Sequence, residues 1–261
     1  MDYKKLFDMT GKVCVVTGGT GYLCSTNVQI LKQFGGTVVV FDCREDETRW
    51  ENDGTDRDMF VQCDLASTDT IREAFKKVYD TYGNIDVLVN GVAYGSARGR
   101  DSILESMSDE VWEQGIDGTL SSMFRCTREA IPYMKEKGGA IVNYCSMYGV
   151  VAPDLRIYGE GASRQPPTYG AAKGGVLQFT RYCASDLARY GIRVNCVTPG
   201  PFPNPKSQED VELTRILVNK TMLGRIGENH DIAGAVLLLA SDAGSFMTGS
   251  NITVDGGWTA W

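Results

Sequence analysis

Apolar residues along the chain fall in short β-branched runs, separated by segments whose apolar positions recur every three or four residues. Strands are expected at 13–17, 37–41, 59–63, 85–89, 140–145, 192–197 and 251–254. Most of these runs are continuously apolar rather than alternating, the pattern of parallel strands covered on both faces. Between them, "STDTIREAFKKVYDTYG" places Ile71, Phe75, Val78 and Tyr82 on one stripe, starts at Ser67 and stops at Gly83, the marks of a capped amphipathic helix. "SDEVWEQGIDGTLSSMFRCTREAIPYMKEKGG" reads as one longer helical stretch ended by Gly138 and Gly139, since glycine closes helices well. Strand–helix alternation over the whole length predicts an α/β fold with a doubly wound parallel sheet and ligands at the carboxyl ends of its strands. No repeat, low-complexity tract or Pro/Ser-rich linker interrupts it, so residues 1–261 are expected to form one domain.

Composition then removes several function classes. A chain of 261 residues, 43% hydrophobic, can bury a large core. Its net charge is −7 and no basic cluster breaks the acidity, which argues against nucleic acid as a partner. "MDYKKLFDMT" has no apolar core of a secretory signal. The longest apolar stretch, "IAGAVLLLA", is far short of the roughly 20 residues a membrane helix needs. No membrane association is expected. Eight cysteines include no C-x-x-C pair, and there is one histidine, His230. The expectation is no metal site and buried, reduced thiols in a cytoplasmic protein, with Cys14, Cys145 and Cys196 inside apolar runs.

The first strand runs into "TGGTGYLCSTNV". Read as G-x-G-x-x-G, its three positions are Gly19, Gly21 and Cys24. The first glycine allows a tight turn, the second lets backbone approach a pyrophosphate, and the third lets the helix pack on the strand. Cysteine is small and replaces only the packing glycine, so the helix amides still face the phosphates. Gly18, Gly19, Thr20, Gly21, Tyr22 and Leu23 are therefore expected along a dinucleotide. "TVVVFD" ends the second strand on Asp42, where an acidic residue accepts from the adenosine ribose; the competing reading is a strand cap. A carboxylate there repels a 2′-phosphate, so NAD is expected ahead of NADP, while Arg44 favours NADP.

With "SMYGVV", "YGAAK" and "RVNCVTPGPF" added, the chain resembles the single-domain short-chain dehydrogenases/reductases, nearly end to end from "GKVCVVTGGTG" to "GSNITVDGGWTAW". The resemblance implies a Rossmann-like, seven-stranded parallel sheet, a homo-oligomer (tetramer or dimer), and hydride exchange between nicotinamide and an alcohol or carbonyl. Tyr169 and Lys173 are four apart and share a helix face. An unassisted phenol is a poor base at neutral pH, and an ammonium beside it stabilises the phenolate. Tyr169 would thus take or give the alcohol proton. Tyr133 and Lys137 have the same spacing but read as a solvated helix end. By resemblance Ser146 polarises the substrate oxygen, and Pro199, Gly200 and Phe202 flank the nicotinamide. Asn90 and Gly91 stand in the loop usually built from two asparagines, near the cofactor ribose. Asp64, with Leu65 beside it, matches an adenine contact or else caps the next helix. The family's catalytic asparagine falls on Thr119, which also donates and accepts a hydrogen bond.

Two rivals remain. A sugar-nucleotide epimerase or dehydratase would need a substrate lobe after Lys173, and too little chain follows. A non-catalytic NAD-binding scaffold fits Tyr22, Cys24 and Thr119 but not an intact Ser146, Tyr169 and Lys173. For substrate, the long segment "MYGVVAPDLRIYGEGASRQPPT" brings Arg156, Tyr158 and Arg164, and the loop after the fourth strand brings Tyr94, Arg98 and Arg100. Arginines near one cleft point to an anionic small molecule such as a sugar acid, unless Asp101, Asp154 and Glu160 pair with them. Residues 201–219 are expected to form a lid, and Trp258 and Trp261 a subunit interface.

Overall fold

In the computed structural model, which describes residues 2–44, 58–158 and 164–261, seven strands form one parallel sheet. They are β1 Val13–Thr17, β2 Thr37–Asp42, β3 Met59–Gln62, β4 Val87–Asn90, β5 Gly139–Tyr144, β6 Ile192–Pro199 and β7 Asn251–Val254. The order is β3-β2-β1-β4-β5-β6-β7. The topology reverses between β1 and β4, so a crevice opens beyond their carboxyl ends, where doubly wound sheets bind ligands. Register sets Thr17 beside Asn90 and Asn90 beside Asn143, so these three strands finish level.

The apolar runs are continuous because both faces are covered. Val13, Val15, Val39, Phe41, Leu88 and Ile141 enter one core, while Cys14, Val16, Val38, Val40, Val89 and Val142 enter the other, the period-2 division of a strand between two faces. The first core packs against helix α2 (Thr68–Tyr82) and helix α4 (Ser122–Met134) through Phe75, Val78, Ala130 and Met134; the second packs against α1 (Cys24–Gln33) and α8 (Ala233–Ala240) through Val28, Leu31, Val236 and Leu239. The remaining helices are α3 (Asp109–Ile116), α5 (Pro167–Leu187), the single turn α6 (Pro205–Gln208) and α7 (Val211–Asn219). Among the described residues no helix is long and apolar enough to cross a membrane. All eight cysteines are free, and all but Cys43 are buried.

Three expectations are corrected by the geometry. The fourth strand begins at Val87 rather than 85, because the Asp86 carboxylate accepts from the Val13 amide at 2.8 Å and from Asn84 Nδ2 at 2.5 Å, holding the entry as a loop. The long helical stretch is split by a π-helical turn, Asp117–Ser121, between α3 and α4. There the backbone is crowded: a Cβ on Gly118 would lie 2.1 Å from the Tyr94 carbonyl oxygen. Finally, Trp258 belongs to this chain's own interior, 8% exposed and edge-on to Tyr148 at 6.5 Å. Asp255 folds the tail inward by accepting from the Gly257 amide at 2.9 Å, the Thr259 amide at 2.8 Å and the Thr259 hydroxyl at 2.7 Å. Trp261 is exposed, its indole N–H donating to the Lys220 carbonyl at 3.2 Å.

Candidate active site

Of the cavities at the carboxyl ends of the strands, two hold the residues singled out in the sequence. The first, about 350 Å³, is lined by Gly18, Thr20 and Gly21 from the loop after β1, by Asp42 and Cys43 after β2, by Asp64 and Leu65 after β3, and by 91–94 after β4. Gly18 takes φ +70°, a backbone conformation that glycine adopts without a steric penalty, and its amide donates to the Phe41 carbonyl at 2.8 Å. A Cβ on Gly19 would lie 2.8 Å from the Val40 side chain. Glycine at these positions brings the loop tight against β2 and starts α1 at Cys24.

Cys24 answers to Gly91. The thiol is buried, and a Cβ added to Gly91 would come within 2.1 Å of Cys24 Sγ. Glycine at 91 is what lets the loop after β4 meet the cysteine at the head of α1. Burial first of all pushes the Cys24 thiol up to about 12, so it is a neutral packing group.

Asp42 is held over the first cavity. The Thr20 hydroxyl donates to Asp42 Oδ2 at 2.5 Å, and the Cys43 amide to Oδ1 at 2.8 Å. Asp64 takes the Ala66 amide at 2.9 Å, while helix α2 is capped by Ser67, which accepts from the Thr70 amide at 3.4 Å. Glycine backbone at the head of a helix and a carboxylate at the end of β2 fit a dinucleotide. Tyr22 is half-buried and does not line the cavity; Asn90 is buried beneath it. Asn90 Nδ2 donates to Thr127 Oγ1 at 3.1 Å and to Asn143 Oδ1 at 2.9 Å, and Asn143 Nδ2 to Thr180 Oγ1 at 3.0 Å. This polar row stitches β4 and β5 to α4 and α5.

The second cavity, about 290 Å³, brings together Leu23, Ser146, Tyr169, Pro199, Gly200 and Phe202. Ser146 follows β5, its Oγ accepting from the Tyr148 amide at 3.2 Å. Pro166 and Pro167 start α5, whose opening turns carry Tyr169 and Lys173. Lys173 is 3% exposed. Its Nζ donates to the Tyr144 carbonyl at 2.6 Å and lies 5.8 Å from the Tyr169 ring centroid, while Cys145 Sγ donates to the Lys173 carbonyl at 3.2 Å. The end of β5 and the start of α5 are thus bonded in both directions, which fixes the ammonium beneath the phenol. Gly200 and Gly227 are needed for close approach: a Cβ would lie 2.5 Å from Asp255 Cα and 2.6 Å from the Phe202 ring, respectively.

Other sequence-derived residues lie elsewhere. Thr119 is buried in the π-helical turn and lines neither cavity. Tyr133 packs on Tyr79, ring centroids 5.1 Å apart. Of the substrate candidates, Tyr158 lines the second cavity. Tyr94 lines the first and donates to Asp117 Oδ2 at 2.7 Å. Burial raises Asp117, yet the bonds from Arg125 and Tyr94 outweigh it and hold the carboxyl below its ordinary range. Arg98 and Arg100 are exposed and line neither cavity. Arg156 is bidentate on Asp154, at 2.8 and 3.0 Å, with its side chain 90% exposed. Arg164 lines neither cavity, its amide donating to Ser102 Oγ at 3.4 Å. Glu160 lies outside the described residues.

The segments 147–168 and 201–219 are legible in the sequence as borders of the pocket, but the lining residues Met147, Tyr148, Ile157 and Gln165 of the first and Pro203, Ser207, Leu213 and Leu217 of the second are not singled out there. Leu213 and Leu217 were signalled by their i, i+4 spacing in "DVELTRILVN". Burial first, and then the Tyr158 phenol, hold Tyr148 above the ordinary tyrosine range, so it stays neutral.

The family model described as Enoyl-(Acyl carrier protein) reductase matches residues 25–259. The 3-oxoacyl-[acyl-carrier-protein] reductase FabG of Thermotoga maritima is 34% identical, over 95% of this chain and 98% of its own. Trans-4-hydroxycyclohexanecarboxylate dehydrogenase of Sinomonas cyclohexanicum is also 34% identical, over 95% and 93%. Among solved structures, a short chain dehydrogenase from Leptospira borgpetersenii with bound NAD+ superposes with TM-score 0.85 at 30% identity, covering 97% of this chain and 94% of that one. A gluconate 5-dehydrogenase from Burkholderia cenocepacia, in complex with NADP and tartrate, superposes with TM-score 0.86 at 26% identity, covering 98% of each. The chain belongs to the short-chain dehydrogenase/reductase family of nicotinamide-dependent oxidoreductases.

Proposed function

We propose that this enzyme interconverts a secondary alcohol and its ketone, with Tyr169 as general acid/base and NAD as the preferred cofactor. One observation carries the reading: Ser146 and Tyr169 line the same cavity as the Pro199–Gly200 turn, with the Lys173 ammonium buried beneath the Tyr169 ring. When bound, the nicotinamide supplies the hydride acceptor for the alcohol carbon. The Ser146 hydroxyl orients the substrate oxygen. Tyr169 as phenolate takes the hydroxyl proton on oxidation, and as phenol gives one on reduction, with the Lys173 ammonium stabilising the phenolate form. Leu23, Pro199 and Phe202 wall the site and keep water from the reacting carbon. Thr119 is buried in the π-helical turn and lines neither cavity, so it is given no substrate contact in this reading.

The Asp42 carboxylate supports NAD over NADP, because it accepts from a free ribose hydroxyl and repels a phosphate placed there. Exposed Trp112, Phe124 and Tyr182 on α3, α4 and α5 support a homo-oligomer. Two relatives are named for alcohols that carry a carboxylate; for this chain the class of alcohol turns on the charge its own cavity offers. The test is Tyr169→Phe. Turnover is expected to fall by about 100-fold or more, with NAD affinity by calorimetry unchanged within about twofold. Unaltered turnover in the variant removes the acid/base role.

A further inference from the structure

We propose that the alcohol or ketone taken by the second cavity is neutral and compact, a ring or short carbon skeleton without carboxylate or phosphate. The inference rests on the oxidoreductase reading above and narrows it. Among the described residues lining this cavity there is no Asp, Glu, Lys, Arg or His. Its walls include Met147, Ile157, Leu213 and Leu217. Beyond Ser146 and Tyr169, its polar groups are neutral: Tyr148, Tyr158, Gln165 and Ser207.

Lys173, Arg156, Lys220 and Arg225 are engaged elsewhere, and Arg164 and Lys206, next along the chain to Gln165 and Ser207, do not line the cavity. Lys173 is enclosed, its Nζ on the Tyr144 carbonyl. Arg156 places two guanidinium nitrogens on Asp154. Lys220 bonds the same carboxylate at 2.9 Å and lies 5.6 Å from the Trp258 ring centroid. Arg225 is bidentate on Asp231. A carboxylate entering the cavity would lose hydration with no cation lining the site to receive it. A neutral skeleton loses only unfavourable contact with water. At about 290 Å³ the space stands at the low end for a ligand site, and a nicotinamide bound beside Pro199 and Gly200 would take part of it. Oxidation there balances without further reagents: the carbinol C–H passes as hydride to the oxidised nicotinamide, the O–H proton goes to Tyr169, and ketone and reduced cofactor result.

A matched pair tests this on the native enzyme: cyclohexanol against 4-hydroxycyclohexanecarboxylate, with gluconate as a third substrate, each at saturating NAD. Calorimetry with NAD is read first. No dinucleotide uptake overturns the oxidoreductase reading itself. With dinucleotide bound, the expected result is a kcat/KM for cyclohexanol about tenfold or more above that for either carboxylate. Equal or better use of a carboxylate overturns the neutral assignment, and so does failure of the holoenzyme to bind or oxidise any of the three. Leu213→Arg, or Ser207→Arg should the first fold poorly, places a cation on the wall. Either variant is expected to shift the kcat/KM ratio toward the carboxylate by about tenfold. An unshifted ratio in a folded variant overturns the proposal.

Discussion

The Cys24 thiol occupies the space over Gly91, so closely that a Cβ on Gly91 would stand 2.1 Å from Sγ. The cysteine at the last position of the glycine loop and the glycine after Asn90 are therefore sterically complementary across one contact. Overfilling such a contact costs about 1–3 kcal/mol. Gly91→Ala is expected to lose stability on that scale, while Cys24→Gly with Gly91→Ala loses less than Gly91→Ala alone. Urea midpoints across the double-mutant cycle read this coupling, and strictly additive effects would contradict it.

Asn143 sits at the centre of the polar row, accepting from Asn90 Nδ2 at 2.9 Å and donating to Thr180 Oγ1 at 3.0 Å, with no exposed surface of its own. Asn143→Ala strands two buried partners, each costing about 1–3 kcal/mol. A stability loss of about 3 kcal/mol is expected by denaturant titration. If Asn143→Ala unfolds at the native midpoint, the row is decorative.

How much of this was legible beforehand depended on where the determining contacts lie. The strands were readable because both sheet faces are covered, leaving runs such as "TVVVFD" apolar throughout. The glycine loop, Asp42 and Ser146 stand out in the sequence because each lies at or just after the end of a strand, and Tyr169 and Lys173 because they are four apart on one helix. The π-helical turn was not, because it is set by the Tyr94 carbonyl pressing on Gly118 from across the chain. Nor was the fate of the arginines: charge type is visible in sequence, but the bidentate seating of Arg156 on Asp154 depends on a local turn in which Asp154 also caps the Arg156 amide at 3.1 Å. Asn143 did leave a signal, a lone amide inside an apolar strand, which a buried polar group makes only when a partner waits for it.

Acid exposes a second dependence. The Arg225 bond comes first among the interactions that hold Asp231 down at about 2, with contacts at 2.5 and 2.8 Å. An unfolded aspartate ionises near pH 4. The folded value lies below it, so the contribution is fully present above about pH 4 and lost as pH falls towards 2. Because the pair faces water, it is worth about 1 kcal/mol or less. Arg225→Ala is expected to lower the melting temperature at pH 7, with the difference closing as pH falls through about 2. A gap that persists in acid would mean that Arg225 stabilises the fold by packing alone.

The proposed preference for NAD rests on Thr20 and Asp42 together. The carboxylate ends β2 with one oxygen on the Thr20 hydroxyl and the other on the Cys43 amide, which leaves its charge fixed beside the first cavity. Removing the charge while keeping the shape, as in Asp42→Asn, relieves repulsion of a 2′-phosphate and weakens acceptance from a free ribose hydroxyl. The NAD:NADP ratio of kcat/KM is expected to fall by about tenfold or more. Thr20→Val keeps the charge but removes the hydroxyl that aims it, so its effect should be smaller and fall on KM for NAD rather than on kcat. Steady-state kinetics with both cofactors separates the two. A ratio unmoved by Asp42→Asn would place cofactor selection elsewhere, with the exposed Arg44 the next charge along the chain among the described residues.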